Sequence, residues 1–271
     1  MKAADASVVL TGASGGLGSA IARQLVGEGA SMLLVGRSAG PLLELAQSLD
    51  VGAHRRSRVD VLIVDVTTEH GRAAIIDAAA ARRANVLINN AAVAAFGPAH
   101  DLQADHARQI VDTNILAPML LVAGMLPMLR SRPRAQILNI GSTLGSLGVP
   151  GFSAYGASKA ALRIYTEALR RELAGSAIRV QYYAPRTIDT RFNTPQVMAF
   201  NKATGSTSDS PQAVARQVAR MLRTESRQRF AGGIEPLIAR LNGLFPEWLD
   251  GVFARHRKAL ESLHLPPGAS L

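Results

Sequence analysis

Six short apolar runs, each followed by a longer stretch of helical spacing, constrain this chain more than any other feature. The runs are SVVLT (7–11), SMLLV (31–35), VDVLIVD (59–65), NVLIN (85–89), QILNIGS (136–142) and IRVQYYA (178–184). Most place apolar residues at consecutive positions, a pattern strands show when both of their faces are covered. Helical patterns near 16–28, 40–49, 69–82, 103–129, 153–174 and 211–224 complete the alternation. Such alternation predicts an α/β fold, a doubly wound parallel sheet whose right-handed crossovers put helices on both faces. No linker or internal repeat interrupts the 271 residues, so a single domain spanning 1–271 is expected.

Composition narrows the chemistry. There is no cysteine, which removes disulfides, thiolate metal sites and cysteine nucleophiles together. The six histidines lack metal-ligand spacing, so no metal is expected. The net charge of +10 is spread over separated places, among them RRSR (55–58), RSRPR (130–134) and RHRK (255–258). With aromatics at only 4% and no reading helix evident, these read as solvated faces and not as a nucleic-acid surface. The N-terminus lacks a signal-peptide core and no run approaches the length of a membrane span, so a cytoplasmic protein is expected.

The turn after the first run reads TGASGGLG (11–18) and opens an amphipathic helix with Leu17, Ile21 and Leu25 on its buried stripe. Gly12 suits a tight turn, Gly16 lets backbone approach a pyrophosphate, and Gly18 lets the helix pack close to the sheet. The helix N-terminus offers N–H groups and a positive dipole end to phosphates. Strand, glycine turn and helix in that order point to a dinucleotide. At the end of the second run stands Gly36, where NAD-binding versions of such folds carry an acid, and Arg37 follows. A forked guanidinium suits a 2′-phosphate that an acid would repel, so NADP(H) is expected over NAD(H).

Residues 155–159 read YGASK, with Tyr155 and Lys159 on one helix face. Together with TGASGGLG (11–18), NNAA (89–92), Asn114 in VDTNILAP and GS (141–142), in that order and spacing, the chain resembles the short-chain dehydrogenase/reductase family over about residues 7–191. The resemblance implies a Rossmann-like fold and an oxidoreductase using a nicotinamide cofactor. It implies that Tyr155 is the general acid or base. Lys159 would lower the Tyr155 pKa and hold the nicotinamide ribose. Ser142 would bond the substrate oxygen, and Asn114 would hold a water that joins Lys159 to solvent. It also implies that Gly12, Ser14, Gly16, Leu17 and Gly18 cradle the diphosphate, that Asp65 and Val66 flank the adenine, and that Asn90 and Ala91 line the cleft. Pro185, Ile188 and Thr190 would contact the nicotinamide end.

The reaction expected is NADPH-dependent reduction of a ketone, or the reverse oxidation of a secondary alcohol, on a small molecule. The alternative is a nucleotide-sensing or scaffold protein without turnover. Against it stands the complete set Asn114, Ser142, Tyr155 and Lys159. Family members commonly pair subunits through the helices near 103–129 and 153–174, so a homodimer or homotetramer is expected.

Two departures stand out. Ala92 replaces a family glycine, which is harmless if φ is negative. Arg186 replaces the glycine that usually follows Pro185, and its side chain can reach the cofactor phosphates, a substrate acid group or solvent. Ser153 is expected to cap the helix that carries Tyr155. The segment 190–211 is expected to form the substrate loop, with Phe192, Val197, Met198 and Phe200 indicating an apolar acyl, steroid-like or aromatic substrate. Apolar residues at 237, 238, 241, 244, 245, 248, 249, 252 and 253 recur at helical spacing, interrupted by Gly243 and Pro246. They predict two short amphipathic helices within 234–264. These helices can cover the cleft, join subunits, or grip a lipid surface through Trp248 and Phe253. The broken stripe makes a poor independent anchor, which favours a cover over the cleft.

Overall fold

A computed structural model describes residues 1–50, 58–233 and 235–263. His54, His264 and most of the basic run at 55–58 lie outside the described residues.

The runs become strands at nearly the expected bounds: β1 (Ser7–Thr11), β2 (Ser31–Gly36), β3 (Val59–Ile63), β4 (Val86–Asn89), β5 (Ala135–Ile140) and β6 (Ile178–Ala184). A short β7 (Thr187–Ile188) pairs with β8 (Ser208–Asp209), and β9 (Gln228–Phe230) joins the main sheet. That sheet is seven-stranded and parallel in the order β3-β2-β1-β4-β5-β6-β9. The inner strands β2, β1, β4, β5 and β6 are buried on both faces, as their continuous hydrophobicity requires, while β3 at the edge is only partly buried and leaves Ile63 exposed. One core layer packs α1 (Gly16–Gly27), α2 (Ala39–Asp50) and α8 (Pro211–Thr224) on the sheet. The opposite layer packs α3 (Glu69–Ala81), α5 (Ala117–Arg130) and part of α6 (Ser153–Glu172).

The expected helix at 103–129 is α4 (Ala104–Val111) and α5 joined by a π-helical turn over Asp112–Leu116. This continuous stretch is long and apolar enough to cross a membrane, contrary to the expectation that no run would be. Leu121, Val122, Met125 and Leu129 are nevertheless buried in the core layer of α3, so one face of this stretch packs on the sheet's flank while Val111, Leu116 and Leu120 stay exposed. Ser153 is not a cap. Phe152 holds the N-cap position of α6 and lends no side-chain bond there, since a phenyl ring has no acceptor to offer; its ring packs 4.8 Å from Phe96 instead. The C-terminal segment forms α9 (Glu235–Leu244), a 3₁₀ turn (Pro246–Leu249) and α10 (Ala254–Ser262), one helical turn more than the stripe predicts.

Candidate active site

The strand order reverses between β1 and β4, and the crevice at their C-terminal ends is where such sheets take ligands. Gly12 adopts φ +63° there, and a Cβ on it would lie 2.8 Å from Ala91 Cα. Asn90 ties the turn to β4: its Nδ2 donates to the carbonyls of Thr11 and Gly12 at 3.0 and 3.1 Å. Thr11 Oγ1 accepts the amides of Asn90 and Ala91 at 3.0 and 3.1 Å. Gly18 sits so close to the carbonyl of Gly12 that a Cβ would stand 2.1 Å from it. A Cβ on Gly16 would strike Thr190 at 2.6 Å, so Thr190 closes over the turn from the far side. Ser14 Oγ lies 3.3 Å from where a Cβ of Gly36 would be, which brings the turn beside Arg37. Leu17 is half-buried against the core. Gly15, the N-cap of α1, provides no side-chain cap, leaving the first-turn amides to a ligand.

Arg37 faces Asp65 at 3.8 Å, its side chain 58% exposed. Burial raises the Asp65 pKa, but bonds from Thr67 and the Arg37 charge outweigh this and hold the carboxyl below its ordinary value. Val66 is buried beside it. A glycine floor, an uncapped helix end and a guanidinium at the rim fit a dinucleotide. Ala92 is not strained, since Arg83 and Glu225 are the non-glycine residues with positive φ among the described residues.

Ser142, Tyr155, Lys159 and Asn114 converge from β5, α6 and the π-turn. Lys159 is 2% exposed, and its Nζ donates to the carbonyl of Ile140 at 3.1 Å and stands 5.6 Å from the Tyr155 ring. Burial pushes its pKa down to about 8. Burial first, then Tyr182, raise the Tyr155 phenol well above the ordinary range, against a hydrogen bond with Ser142. The phenol is protonated at neutral pH. Ser142 Oγ accepts from the Leu144 amide at 3.1 Å, which leaves its own proton to give. The Asn114 amide donates to the Val93 carbonyl at 2.8 Å and to Ser158 Oγ at 2.9 Å, and its Oδ1 accepts from Val93 N at 2.9 Å. Ser158 Oγ in turn donates to the carbonyl of Tyr155 at 2.7 Å. Asn114 therefore staples the π-turn to the first turns of α6.

Beyond Tyr155 an aromatic wall begins. Phe192 lies 6.2 Å and Phe152 6.5 Å from its ring, and Phe96 and Phe200 continue behind Phe152. Phe200 and Val197, on α7 (Pro195–Thr204), are buried together with Ala259, with Leu260 and Leu263 packed against them. These two expected substrate contacts thus seat α10 under α7. Phe192 is exposed beside Tyr155, and Met198 is exposed on the outer face of α7. Within the described part of the tail, Leu237, Leu241, Leu244, Phe245, Trp248 and Val252 point outward, while Asn242 of α9 donates to the Ser146 carbonyl at 2.9 Å and Phe253 joins α10 in packing beside Phe200 through His256. Arg186 turns toward β8. It pairs with both oxygens of Asp209, at 2.6 and 3.3 Å, and bonds Thr207 at 2.8 Å. This clamps β7 to β8, whose backbones also meet through the Asp189 amide and the Asp209 carbonyl at 3.0 Å. Pro185 accepts the Thr143 amide at 3.0 Å, and Ile188 accepts Asn193 Nδ2 at 2.6 Å, which sets the loop below Thr190.

Residues 6–199 match the short chain dehydrogenase family, a span that includes the glycine turn and the Tyr–Lys helix. The chain belongs to the short-chain dehydrogenase/reductase family. It is therefore an oxidoreductase of the nicotinamide-dependent kind. Sulfoacetaldehyde reductase 2 of Chromohalobacter salexigens is 37% identical over 189 residues, 68% of this chain and 73% of that one. The ketoacyl reductase HetN of a Nostoc species is 30% identical over 231 residues, 82% and 77% of the two chains. Among solved structures, a short-chain dehydrogenase/reductase of Burkholderia phymatum in complex with NAD superposes with a TM-score of 0.82 at 22% identity, over 92% of this chain and 96% of that one. L-sorbose reductase of Gluconobacter frateurii, solved with NADPH and L-sorbose, gives 0.76 at 24% identity, over 84% and 95%. These two likenesses show the fold.

Sequence reading passes over Thr11, Ser158, Tyr182 and Asp209. Thr11 and Ser158 lie inside the quoted motifs and could have been picked as hydroxyls next to obligatory turns. Asp209 carries no local signal, because its partner is 23 residues away.

Proposed function

We propose that this enzyme exchanges a hydride between NADP(H) and the carbonyl or secondary-alcohol carbon of an apolar small molecule, acting as a carbonyl reductase when supplied with NADPH. The observation that carries this reading is the convergence of Ser142, Tyr155 and Lys159 at the mouth of a glycine-floored crevice. The cofactor, when bound, gives or takes the hydride. The proton falls to the chain. Tyr155 donates its hydroxyl proton to the carbonyl oxygen in reduction and takes one back in oxidation. Ser142 Oγ donates a hydrogen bond to the same oxygen as negative charge grows on it. Lys159, charged when its proton is on, favours the phenolate left behind and reaches the nicotinamide ribose. Asn114 holds the entry of solvent to Lys159 through its place in the π-turn.

Gly12, Ser14, Gly16, Leu17 and Gly18 hold the diphosphate, Asp65 and Val66 the adenine, and Asn90 and Ala91 the cleft wall. Pro185, Ile188 and Thr190 cover the nicotinamide. NADP(H) is favoured because no carboxylate ends β2 and the Arg37 guanidinium stays largely exposed beside Asp65. Both curated relatives cited are named as reductases, one of a sulfonated aldehyde and one of a ketoacyl group. Phe192 beside Tyr155 favours the apolar kind. A homodimer or homotetramer is supported by Val111, Leu116, Leu120 and Ile164, large apolar residues exposed around α4, α5 and α6.

The test is a carbonyl panel with NADPH, followed at the cofactor absorbance, with Tyr155→Phe alongside. The variant should bind NADPH as the parent does and lose about a hundredfold or more in kcat. A Tyr155→Phe enzyme with parental turnover would remove Tyr155 from proton transfer.

A further inference from the structure

Beneath the catalytic residues lies a tyrosine that the mechanism above does not use. Tyr182 sits on β6 opposite Asn139 of β5, and its side chain is among the largest fully buried ones. Its ring fills the space over Gly141, where a Cβ would stand 2.1 Å from ring Cζ and Oη and 2.4 Å from Cε2. The residue before Ser142 is therefore a glycine because this ring is there. The hydroxyl at the ring's tip touches the backbone of two catalytic residues. It accepts from the Ser142 amide at 3.4 Å and donates toward the carbonyl of Lys159 at 3.4 Å or of Ser142 at 3.5 Å.

We infer that Tyr182 is a positioning residue whose hydroxyl cross-links the end of β5 to α6 and so fixes Ser142 relative to Tyr155 and Lys159. The inference rests on the catalytic reading proposed above. Ser142 and Tyr155 must reach one substrate oxygen together, yet they stand on different elements, and misplacement by a fraction of an ångström costs turnover steeply. The flanking amides are held otherwise: Gly141 donates to the Tyr183 carbonyl at 2.7 Å and Thr143 to that of Pro185 at 3.0 Å. Ser142 itself is held at three points: its carbonyl accepts the Gly145 amide at 3.0 Å, its Oγ accepts the Leu144 amide at 3.1 Å, and its own amide donates to Tyr182 Oη at 3.4 Å. Of these, the bond to Tyr182 is the one that ties it to β6 and not to its own turn. The three contacts are long, which suits a brace that yields slightly as substrate enters and does not compete with Ser142 Oγ for it.

Tyr182→Phe keeps the ring and removes the brace. On whichever carbonyl compound the NADPH panel identifies, kcat should fall about tenfold, roughly what one lost hydrogen bond contributes to a barrier, with KM for NADPH unchanged. In the free protein, amide hydrogen exchange at Ser142 should quicken while Gly141 and Thr143 keep their protection. Gly141→Ala should lose activity by collision with the ring, and Gly141→Ala/Tyr182→Ala should recover to the level of Tyr182→Phe. Parental kcat and parental Ser142 exchange in Tyr182→Phe would overturn the inference. So would a kcat loss accompanied by an equal rise in KM for NADPH and a fall in melting temperature, the signature of a residue that only supports the fold. Parental activity in Gly141→Ala would overturn it too. Tyr155→Phe assayed beside these separates the two ideas: if it remains active the catalytic reading fails, and if it is dead while Tyr182→Phe is parental, only the brace fails.

Discussion

Replacing Lys159 by methionine should make this protein more stable at neutral pH while it abolishes turnover. Lys159 is buried with the Ile140 carbonyl as its hydrogen-bond partner at 3.1 Å, and burial pushes its pKa from the ordinary 10.5 to about 8. That gap corresponds to about 3 kcal/mol, since each pH unit is worth about 1.4 kcal/mol. The unfolded chain binds the Lys159 proton more tightly than the folded one, so between pH 8 and 10.5 unfolding takes up a proton and stability rises with pH. Below pH 8 the full penalty is present. Methionine fills a similar volume and removes the charge, at the loss of one hydrogen bond worth about 1 kcal/mol. The net gain at pH 7 is about 2 kcal/mol, or roughly 4–8 °C in Tm for a domain of this size. Urea denaturation of parent and Lys159→Met at pH 7, 9 and 10.5, without cofactor, measures it. The advantage of the variant should shrink steadily across that range. A variant less stable than the parent at pH 7, or a difference that does not change with pH, would refute the reasoning.

Arg37→Ala should weaken NADPH by about fivefold and leave NADH nearly unaffected, because an exposed guanidinium can contribute about 1 kcal/mol to a phosphate contact; cofactor titration by fluorescence reads both, and equal losses for the two would deny the 2′-phosphate role. Arg186→Gly should lower Tm by roughly 4–8 °C, as a lost two-pronged pair with Asp209 of about 2 kcal/mol implies, and should leave NADPH affinity unchanged; a fall in that affinity would place Arg186 on the cofactor after all. A chain ending at Gly233 uncovers Phe96, Val197 and Phe200, so KM for an apolar carbonyl should rise severalfold and NADPH affinity should hold; parental KM would show that α10 does not shape the cleft.

Much of this molecule is legible in one dimension. The alternation of apolar runs with helical spacing determines the doubly wound sheet, because a strand covered on both faces has few other compositions. The motifs around Gly12, Ser142 and Tyr155 mark the crevice, because close backbone approach demands glycine and a shared helix face demands spacing by four. The α7 helix inside 195–204 was hidden, since its Val197 and Phe200 read equally well as loop contacts to a substrate. The tail was half legible: its period showed helices, and not that most of the stripe would face outward while Ala259 and Leu260 pack on α7. Only the tertiary structure decided that Arg186 turns to Asp209, that Asn114 grips Val93 and Ser158, that burial raises the Tyr155 phenol, and that Tyr182 stands under Gly141. Each of these depends on which distant residue shares a few ångströms of space. Local pattern encodes period, turn and propensity, while desolvation and long-range hydrogen bonds exist only once the chain has closed on itself.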